Sequence, residues 1–402
     1  MDLIRVMPAE ANALSKTRGF DVVVIGGGVI GLSCAWRLAQ DGARVVVLER
    51  GEPGGGATRV AAGMLAPVGE LTFGEPELLR LTLVAARLYP EFVAELEAAS
   101  GETTGYERLG ALHVALDRDE AAQLRRVHDL QRSLELEAEW LPPRRCRDLE
   151  PGLTPSFHGG VLAAGEAAVD PRALTKALLA ACAAEGVEVR TGTEVVDAIF
   201  ESDRLVGVQT ASDEEIRADT LVLAGGAWSG AMGWLPDEAR PAVRPVKGQV
   251  VELRTREPRR SPTRHILASE RVYLVPRADG RLVVGATVEE MGFDTAVTAG
   301  GVHELLREAY RLLPEVAEME LVDAAAGLRP GTPDNLPIVV PGAIEGLVLA
   351  TGHYRNGILL APLAAQTVAD LVGGTRGSNR RSSFPHLFRG KDERRPQTEV
   401  AR

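Results

Sequence analysis

The hydrophobic positions near the start of the chain change their spacing twice. Residues 21–25 form a short, mostly apolar run that is typical of a buried strand, and residues 29–40 have helical spacing. Asp41-Gly42 ends this helix, and residues 44–48 are a second apolar run. The pattern predicts a strand, a helix and a second strand, which together make a βαβ unit.

A second stretch of the same kind lies in the middle of the chain. Asp170-Pro171 is a favourable helix start, because aspartate caps the first turn and proline fits the first helical position. We expect this helix to end near Glu185. Strands are then predicted at 187–190, 204–210 and 220–224, and all belong to the same domain as the first unit.

Two intervening blocks have a different pattern. The first predicts an amphipathic helix, a strand and a charged helix, at 77–100, 112–116 and 119–136. The second alternates as antiparallel strands do, at 249–253, 272–276 and 281–287. Asp279-Gly280 is a hairpin signal between the last two strands. These blocks predict a second domain that is rich in antiparallel sheet.

With 402 residues the chain is too long for one core. We therefore expect an α/β protein, α+β overall, with a Rossmann-like domain in three pieces and an interleaved antiparallel-sheet substrate domain. The expected boundaries are 19–76, 150–240 and 322–372 for the first domain, 77–149 and 241–321 for the second, 1–18 for a flexible extension, and 373–402 for a partly disordered tail.

A glycine motif joins the first predicted strand to its helix. In Gly26-Gly27-Gly28-Val29-Ile30-Gly31, Gly26 permits a tight turn and Gly28 lets a pyrophosphate approach the backbone. Gly31 allows the helix and strand to pack closely, and the phosphates would lie at the helix N-terminus. Glu49 ends the second strand, where it can accept ribose hydroxyls. The motif in this context predicts a dinucleotide cofactor.

The segment after Glu49 favours FAD over NAD. Residues 54–67, with Ala61-Ala62-Gly63-Met64 among them, are mostly small, and small residues let backbone press against a large flat ring. The chain has no second complete fingerprint, so a separate NAD site is not expected. The sequence also contains no HExxH and no His/Cys cluster with metal-ligand spacing, so no metal is expected.

Two arginines near the end of the chain indicate the substrate. Arg329 and Arg355 lie in segments that are broken by glycine and proline and flanked by apolar runs, and we expect both in turns. A guanidinium in such a place matches a carboxylate bidentately. Combined with a flavin, the arginines predict an enzyme that acts on a small amino acid.

The net charge and the cysteine content limit the classes of binding partner and the cell compartment that we expect. The formal net charge of −11 argues against nucleic acid or an anionic membrane. No run of 18 apolar residues and no signal peptide is seen, so no membrane partner is expected. Three cysteines do not make a disulfide framework, which favours a reducing cytoplasm. Cys146, among arginines, is expected to be an exposed loop thiol.

The motifs together resemble the glycine oxidase family of thiazole (thiamine) biosynthesis, within the D-amino-acid oxidase-like FAD-dependent oxidoreductases, over about residues 19–372. The motifs of the wider superfamily are Val24-Ile25-Gly26-Gly27-Gly28-Val29-Ile30-Gly31, Ala61-Ala62-Gly63-Met64-Leu65, Val169-Asp170-Pro171 and Leu223-Ala224-Gly225-Gly226-Ala227-Trp228-Ser229. Those closer to glycine oxidases are Leu88-Tyr89-Pro90 with Gly105-Tyr106, Pro245-Val246-Lys247-Gly248-Gln249, Gly327-Leu328-Arg329-Pro330-Gly331-Thr332 and the run 352–362.

The resemblance implies noncovalent FAD, a homotetramer and oxidative deamination of glycine, with hydride transfer from Cα to flavin N5 and oxygen reduced to hydrogen peroxide. The imine would feed thiazole synthase or hydrolyse to glyoxylate. Arg329 would bind the substrate carboxylate, Tyr273 would assist it, and Arg355 would lie near the flavin. The residues expected at the cofactor are Gly26, Gly28, Val29, Ile30, Gly31, Glu49, Arg50, Thr58, Ala61, Ala62, Gly63, Met64, Val195, Ala224, Gly225, Trp228, Gly327, His353, Arg355, Asn356, Gly357, Ile358 and Leu359.

Several alternatives stay open. Arg329 could instead tie turn carbonyls, Tyr273 could be core, and Arg355 could make an interdomain salt bridge. No essential His or Asp base is expected, and His353 is interpreted as a turn residue near the flavin. Sarcosine and small D-amino acids are expected as further substrates of the same enzyme. Competing functions are a quinone-linked D-amino-acid dehydrogenase, another amine-oxidising member of the family, a tRNA-modifying flavin domain and a non-catalytic FAD-binding protein.

Overall fold

A computed structural model describes residues 19–256 and 262–375, and within these ranges two large sheets organise the chain. The strands are β1 (Phe20–Ile25), β2 (Val45–Leu48), β3 (Met64–Leu65), β4 (Ala111–Val114), β5 (Glu139–Leu141), β6 (Gly160–Ala163), β7 (Ala167–Ala168), β8 (Glu188–Arg190), β9 (Val195–Glu201), β10 (Arg204–Thr210), β11 (Glu215–Leu223), β12 (Arg244–Arg254), β13 (Ile266–Ala268), β14 (Tyr273–Pro276), β15 (Arg281–Gly285), β16 (Glu320–Gly331), β17 (Ile338–Pro341) and β18 (Leu347–Thr351).

The helices connect and cover these sheets. They are α1 (Val29–Gln40), α2 (Ala57–Val60), α3 (Pro76–Ser100), α4 (Arg118–Ser133), α5 (Pro143–Leu149), α6 (Pro171–Ala184), α7 (Ala299–Leu312) and α8 (Gly357–Thr375). Short 3₁₀ turns lie at Gly226–Ala231, Asp237–Ala239, Pro314–Glu318 and Tyr354–Asn356.

The first sheet has a parallel centre. Its strand order is β17-β18-β11-β1-β2-β8, and β9 and β10 join through β11. Val22 of β1 aligns with Val45 of β2 and with Thr220 of β11, both in parallel register. Val22, Val23 and Val24 are fully buried. Helices such as α1 and α8 pack on the face that holds Val22 and Val24, and β10 with residues 232–239 covers the face that holds Val23. The predicted βαβ unit is confirmed, with α1 at the predicted bounds.

The second sheet is mainly antiparallel, with the order β16-β12-β15-β14-β13-β4-β6-β5 and one parallel pair, β4 with β13. Helix α7 packs on β12 and β15 and closes this second core. The predicted hairpin is confirmed, because β14 and β15 pair across Asp279-Gly280. This sheet forms one wall of a cavity of about 1170 Å³.

The sheets divide the chain differently from the predicted boundaries. Strand β6 lies after residue 150 and most of β16 after residue 322, yet both pair within the second sheet. Helix α3, predicted in the second domain, packs against α6 and α8 in the core of the first. These boundaries were wrong because strand pairing is set by tertiary contacts that the local pattern does not reveal.

Local capping was predicted more accurately than the domain limits. The Asp170 carboxylate accepts hydrogen bonds from the backbone N–H of Arg172 (2.9 Å) and Ala173 (3.4 Å), so it caps α6 as expected. Residues 373–375, predicted to belong to the tail, are the last residues of α8. The predicted extension 1–18 and the remainder of the tail lie outside the described residues.

Helix α8 is more apolar than α1, α3 and α6, the other long helices of the first core. The segment Tyr354–Gly373, which comprises most of α8 and the turn before it, is long and apolar enough to cross a membrane. However, 72% of its 18-residue apolar stretch is buried inside the protein. Leu360, Leu363 and Val368 are fully buried in contact with the core that also holds α1 and α3. Its composition is therefore explained by burial at the centre of the molecule.

Candidate active site

A cavity of about 1170 Å³ lies between the two sheets. The β1–α1 turn, residues 48–66, the end of β11 and the start of α8 line one side of it. Residues of β4 and β12–β16 line the other. The cavity is large enough for a dinucleotide together with a small substrate.

The cofactor end of the cavity is shaped by glycine backbone. Gly26 has φ +106°, and a Cβ there would lie 2.5 Å from the carbonyl oxygen of Ala224. A Cβ at Gly31 would overlap the Gly26 carbonyl, so this glycine lets α1 pack on β1. A Cβ at Gly28 would meet only Thr58 Oγ1, at 3.5 Å, because its other side is open to the cavity. At these three positions the backbone and the surrounding space therefore fit what the motif requires.

The N-terminus of α1 faces this open space. Its N-cap is Gly28, which has no side chain to satisfy the first turn, although the Val29 N–H donates to Thr58 Oγ1 at 3.1 Å. The Glu49 carboxylate accepts from the N–H of Gly27 at 2.7 Å and of Gly51 at 2.8 Å, which fixes it at the cavity wall. An uncapped helix start beside an oriented carboxylate fits the pyrophosphate and ribose of FAD.

A stack of three side chains closes this end. The Arg50 guanidinium lies 4.1 Å from the centroid of the Trp228 ring. On the loop after β15, Phe293 stacks on Trp228 with centroids 5.8 Å apart and an angle of 24°. Asp294, next to Phe293, pairs at 2.5 Å with Lys247, which is fully buried on β12. The loop that follows β15 of the second sheet thereby contacts the cofactor end of the cavity.

Most residues expected at the cofactor line the cavity. They are Gly26, Gly28, Val29, Ile30, Glu49, Arg50, Thr58, Ala61, Ala62, Gly63, Met64, Val195, Ala224, Gly225, Trp228, Gly327, His353, Arg355, Gly357 and Ile358. Gly31, Asn356 and Leu359 do not line it. Gly31 acts through packing, Asn356 is 5% exposed within the turn before α8, and Leu359 is 1% exposed in the core. A cofactor contact of Asn356 and Leu359 stays a prediction, since both side chains are buried beside the cavity and not in its lining.

Arg329 lies in strand β16, not in a turn as predicted. Its side chain crosses Gly248 on the paired strand β12, where a Cβ would overlap the guanidinium. The Nη1 group donates to the carbonyl oxygens of Thr287 at 3.1 Å and Lys247 at 3.4 Å. These bonds hold one edge of the guanidinium and leave its other donors directed to the cavity that it lines.

Tyr273, at the start of β14, belongs to the same wall. Its ring lies over Gly285 of β15, where any Cβ would overlap it, and its hydroxyl is hydrogen-bonded to Arg329. Burial raises the pKa of the phenol, and the charge of Arg329 opposes this rise. The hydroxyl therefore stays protonated at neutral pH. Two glycines, 248 and 285, make the space in which this pair meets.

Arg355 lies in the 3₁₀ turn before α8 and also lines the cavity. Its Nη2 group donates to Thr72 Oγ1 at 2.9 Å and pairs with Glu75 at 3.0 Å. Asn335 donates to the same Glu75 carboxylate at 2.6 Å. The ion pair thus fastens residues 72–75 to the turn, in agreement with the salt bridge that the sequence left open as an alternative.

Three ionisable residues of this region had no sequence signal. Glu70 lines the cavity, and burial raises the pKa of its carboxyl while Arg355 and Arg329 lower it. His113 of β4 also lines the cavity, and burial lowers its pKa to about 4. Glu166 is 2% exposed beneath residues 68–69, and burial raises its pKa to about 8. All three depend on tertiary contacts between distant segments, which single-sequence patterns do not report.

His353 is 2% exposed, and burial lowers its pKa to about 3. The imidazole is therefore neutral at pH 7. Cys146, expected to be exposed, is fully buried in α5, and burial raises the pKa of its thiol to about 11. Its neighbouring arginines point away on the outer side of a short helix that the sequence pattern did not reveal. Within 19–256 and 262–375, no group of His, Cys, Asp and Glu side chains has metal-site geometry.

Comparisons with known proteins agree with this architecture. The model of the family described as FAD dependent oxidoreductase matches residues 21–371. A "Bifunctional protein ThiO/ThiG" of Trichormus variabilis is 38% identical over 88% of this chain and 52% of its own length, so the chain spans about half of it and of similar fused relatives. A "Glycine oxidase" of Geobacillus kaustophilus is 36% identical over 89% of this chain and 93% of its own.

The solved structures give the same result for the fold. The crystal structure of glycine oxidase from Geobacillus kaustophilus superposes with a TM-score of 0.83 at 34% identity, covering 91% of this chain and 96% of that one. The predicted fold class, FAD cofactor and resemblance to glycine oxidases are confirmed. The chain belongs to the FAD-dependent oxidoreductase family.

Proposed function

We propose that this protein is a glycine oxidase. It deaminates glycine, and also sarcosine and small D-amino acids, with reduction of oxygen to hydrogen peroxide. The observation that carries the proposal is the Arg329–Tyr273 pair, which lies in the wall of the cavity that also holds the FAD fingerprint. An amino acid bound there by its carboxylate is adjacent to the cofactor.

Arg329 binds the substrate carboxylate in this proposal. The carbonyls of Thr287 and Lys247 orient its guanidinium before substrate arrives, so little conformational entropy is lost on binding. The Tyr273 hydroxyl, held by Arg329, donates to the same carboxylate. Together the two groups direct Cα toward the cofactor end, and this orientation is the main contribution of the protein to the rate.

Bound at this end, FAD would supply the oxidising chemistry, as the acceptor of the hydride from Cα and the source of the electrons that reduce oxygen. The substrate amine must be uncharged for this step. His113 and His353 are neutral at pH 7 because burial lowers the pKa of each. Neither imidazole therefore protonates the amine. Water hydrolyses the resulting imine to glyoxylate and ammonia.

We also propose a place for this reaction in thiazole formation for thiamine, with thiazole synthase as the consumer of the imine. Support comes from relatives that are named as ThiO/ThiG fusions and match this chain over half of their length. A homotetramer in the cytoplasm is proposed from the resemblance and from three cysteines that are buried and unpaired.

The test is peroxide release by purified protein with glycine, sarcosine and D-alanine as separate substrates. The proposal expects a yellow protein that releases peroxide with glycine as a preferred substrate. Bleaching of the flavin by glycine without peroxide would identify a dehydrogenase instead. If none of the three amines reduces the flavin, the proposed substrate class is wrong.

A further inference from the structure

The substrate end of the cavity contains a carboxylate that the proposed reaction does not use. Glu70 lines the same cavity as Arg329, Arg355 and Tyr273. Its charge interacts with both arginines and with the Tyr273 phenol. Within the described residues, no hydrogen bond holds the Glu70 carboxylate, so it faces whatever occupies this end.

The backbone that carries Glu70 is held firmly. A single helical turn is closed by the Glu70 N–H, which donates to the Ala66 carbonyl at 3.0 Å. The Glu166 carboxylate accepts from the N–H of Val68 at 2.9 Å and of Gly69 at 2.5 Å. From α4, the Gln131 amide donates to the Val68 carbonyl at 2.9 Å. Two buried side chains from separate elements therefore fix the position of Glu70.

Each arginine at this end has an acidic side chain as its neighbour before a substrate binds. Arg355 is paired with Glu75, and the ionised Glu70 carboxylate is the countercharge to Arg329. Burial raises the pKa of Glu70 and both arginines oppose that rise, so the ionised form is favoured by an alkaline assay. Nearby Lys247 is neutralised by Asp294 and Glu289. For the same protonation state of the amine, a substrate with a second carboxylate adds one more negative charge beside Glu70 than a substrate with a single carboxylate.

We propose that Glu70 is a specificity-determining residue that excludes amines carrying a second carboxylate and restricts the site to monocarboxylic amino acids. The proposal rests on the proposed function, since it assumes that Arg329 binds the first carboxylate. Without Glu70, Arg329 would lose its countercharge while Arg355 keeps Glu75, and a second carboxylate would no longer meet a like charge at this end.

The matched substrates are sarcosine and iminodiacetate, which are N-methylglycine and N-carboxymethylglycine and differ by one carboxylate. The ratio of kcat/KM for iminodiacetate to that for sarcosine is measured at pH 8.5 in the holoenzyme and in three variants. Glu70→Gln is expected to raise this ratio by about tenfold or more, since removing a nearby like charge is worth at least that factor. Glu70→Asp keeps the charge and the low ratio. The control Glu91→Gln makes the same charge change at an exposed site on α3 and leaves the ratio unchanged.

An unchanged ratio in Glu70→Gln that still oxidises sarcosine would overturn the proposal. Should that variant, or the wild type, oxidise neither amine, binding is measured instead from the flavin absorbance change with acetate and with malonate. Glu70→Gln is expected to improve malonate binding relative to acetate by about tenfold. No relative improvement would overturn the proposal whatever the enzyme oxidises. If the wild type oxidises neither glycine nor sarcosine, but Glu70→Gln still improves malonate binding relative to acetate, only the proposed substrate is rejected.

Discussion

The cofactor end and the substrate end of the cavity are built in different ways. Backbone atoms of consecutive residues make the first, where Gly26, Gly28 and Gly31 form one turn between β1 and α1. Side chains from distant segments make the second, where Arg329 of β16, Tyr273 of β14 and Glu70 meet. A site made of local backbone recurs as a sequence motif, whereas a site made of distant side chains depends on strand pairing.

The two ends also tolerate change differently. At the cofactor end the limits are steric, because a Cβ would occupy space needed by backbone or cofactor. At the substrate end the limits are electrostatic, because Arg355 is paired with Glu75 and the charges of both arginines act on Glu70. Substitutions should therefore affect FAD retention at one end and substrate affinity at the other.

The largest effect is expected from Gly28→Ala. The backbone there has φ −75°, which alanine adopts readily, and the new Cβ contacts only Thr58 Oγ1 at 3.5 Å. The fold is retained, but the methyl group occupies cofactor space and displaces charge-assisted hydrogen bonds to the pyrophosphate. We expect the Kd for FAD to rise by about thirtyfold or more, as measured by flavin fluorescence. Gly300→Ala, where a Cβ meets nothing within 4 Å, is the control.

Arg329→Ala tests the substrate end alone. Losing a charge-assisted pair costs about 1.5–3 kcal/mol, so KM for glycine should rise by at least about tenfold while FAD content stays unchanged. Steady-state peroxide assays and the ratio of flavin to protein give both values. A normal KM, or loss of flavin together with activity, would contradict the division between the two ends.

Tyr273→Phe should have a smaller effect in the same direction. The phenol contributes one hydrogen bond beside Arg329, worth about 0.5–1.5 kcal/mol, so a rise in KM of about fivefold is expected. Tyr106→Phe is the matched control, because Tyr106 stacks on Tyr89 in the first core. Equal KM values for the two variants would show that Tyr273 serves packing only.

Phe293→Ala should have the smallest effect, and on the cofactor end. Phe293 is 46% exposed, so its removal leaves no core cavity, but it covers Trp228. Loss of an aromatic pair costs about 0.5–1.5 kcal/mol, and we expect FAD to dissociate about threefold faster. Tyr310→Ala, at an exposed aromatic on α7, should leave this rate unchanged. An unaltered rate in Phe293→Ala would show that the stack does not retain the cofactor.

The sequence predicted the features that depend on local order. Helix α1, the Asp170 cap and the β14–β15 hairpin are determined by spacing and turn residues within a few positions of each other. It failed where distant segments decide the outcome. Arg329 was expected in a turn because Gly327 and Pro330 flank it, but pairing with β12 draws the whole segment into a strand. Glu70 was missed for the same reason, since its partners Arg329 and Arg355 lie near the other end of the chain.

Glycine, bound by its carboxylate, is proposed to be oxidised at the FAD end of one continuous cavity. The most direct test mixes the holoenzyme with glycine without oxygen, follows the flavin absorbance, removes the excess glycine and then admits air. We expect full bleaching of the flavin at a rate that saturates with glycine, recovery of the colour in air and release of one peroxide per flavin. We also expect Arg329→Ala to need about tenfold more glycine for half of the maximal bleaching rate. Flavin that stays oxidised at saturating glycine would contradict this proposal.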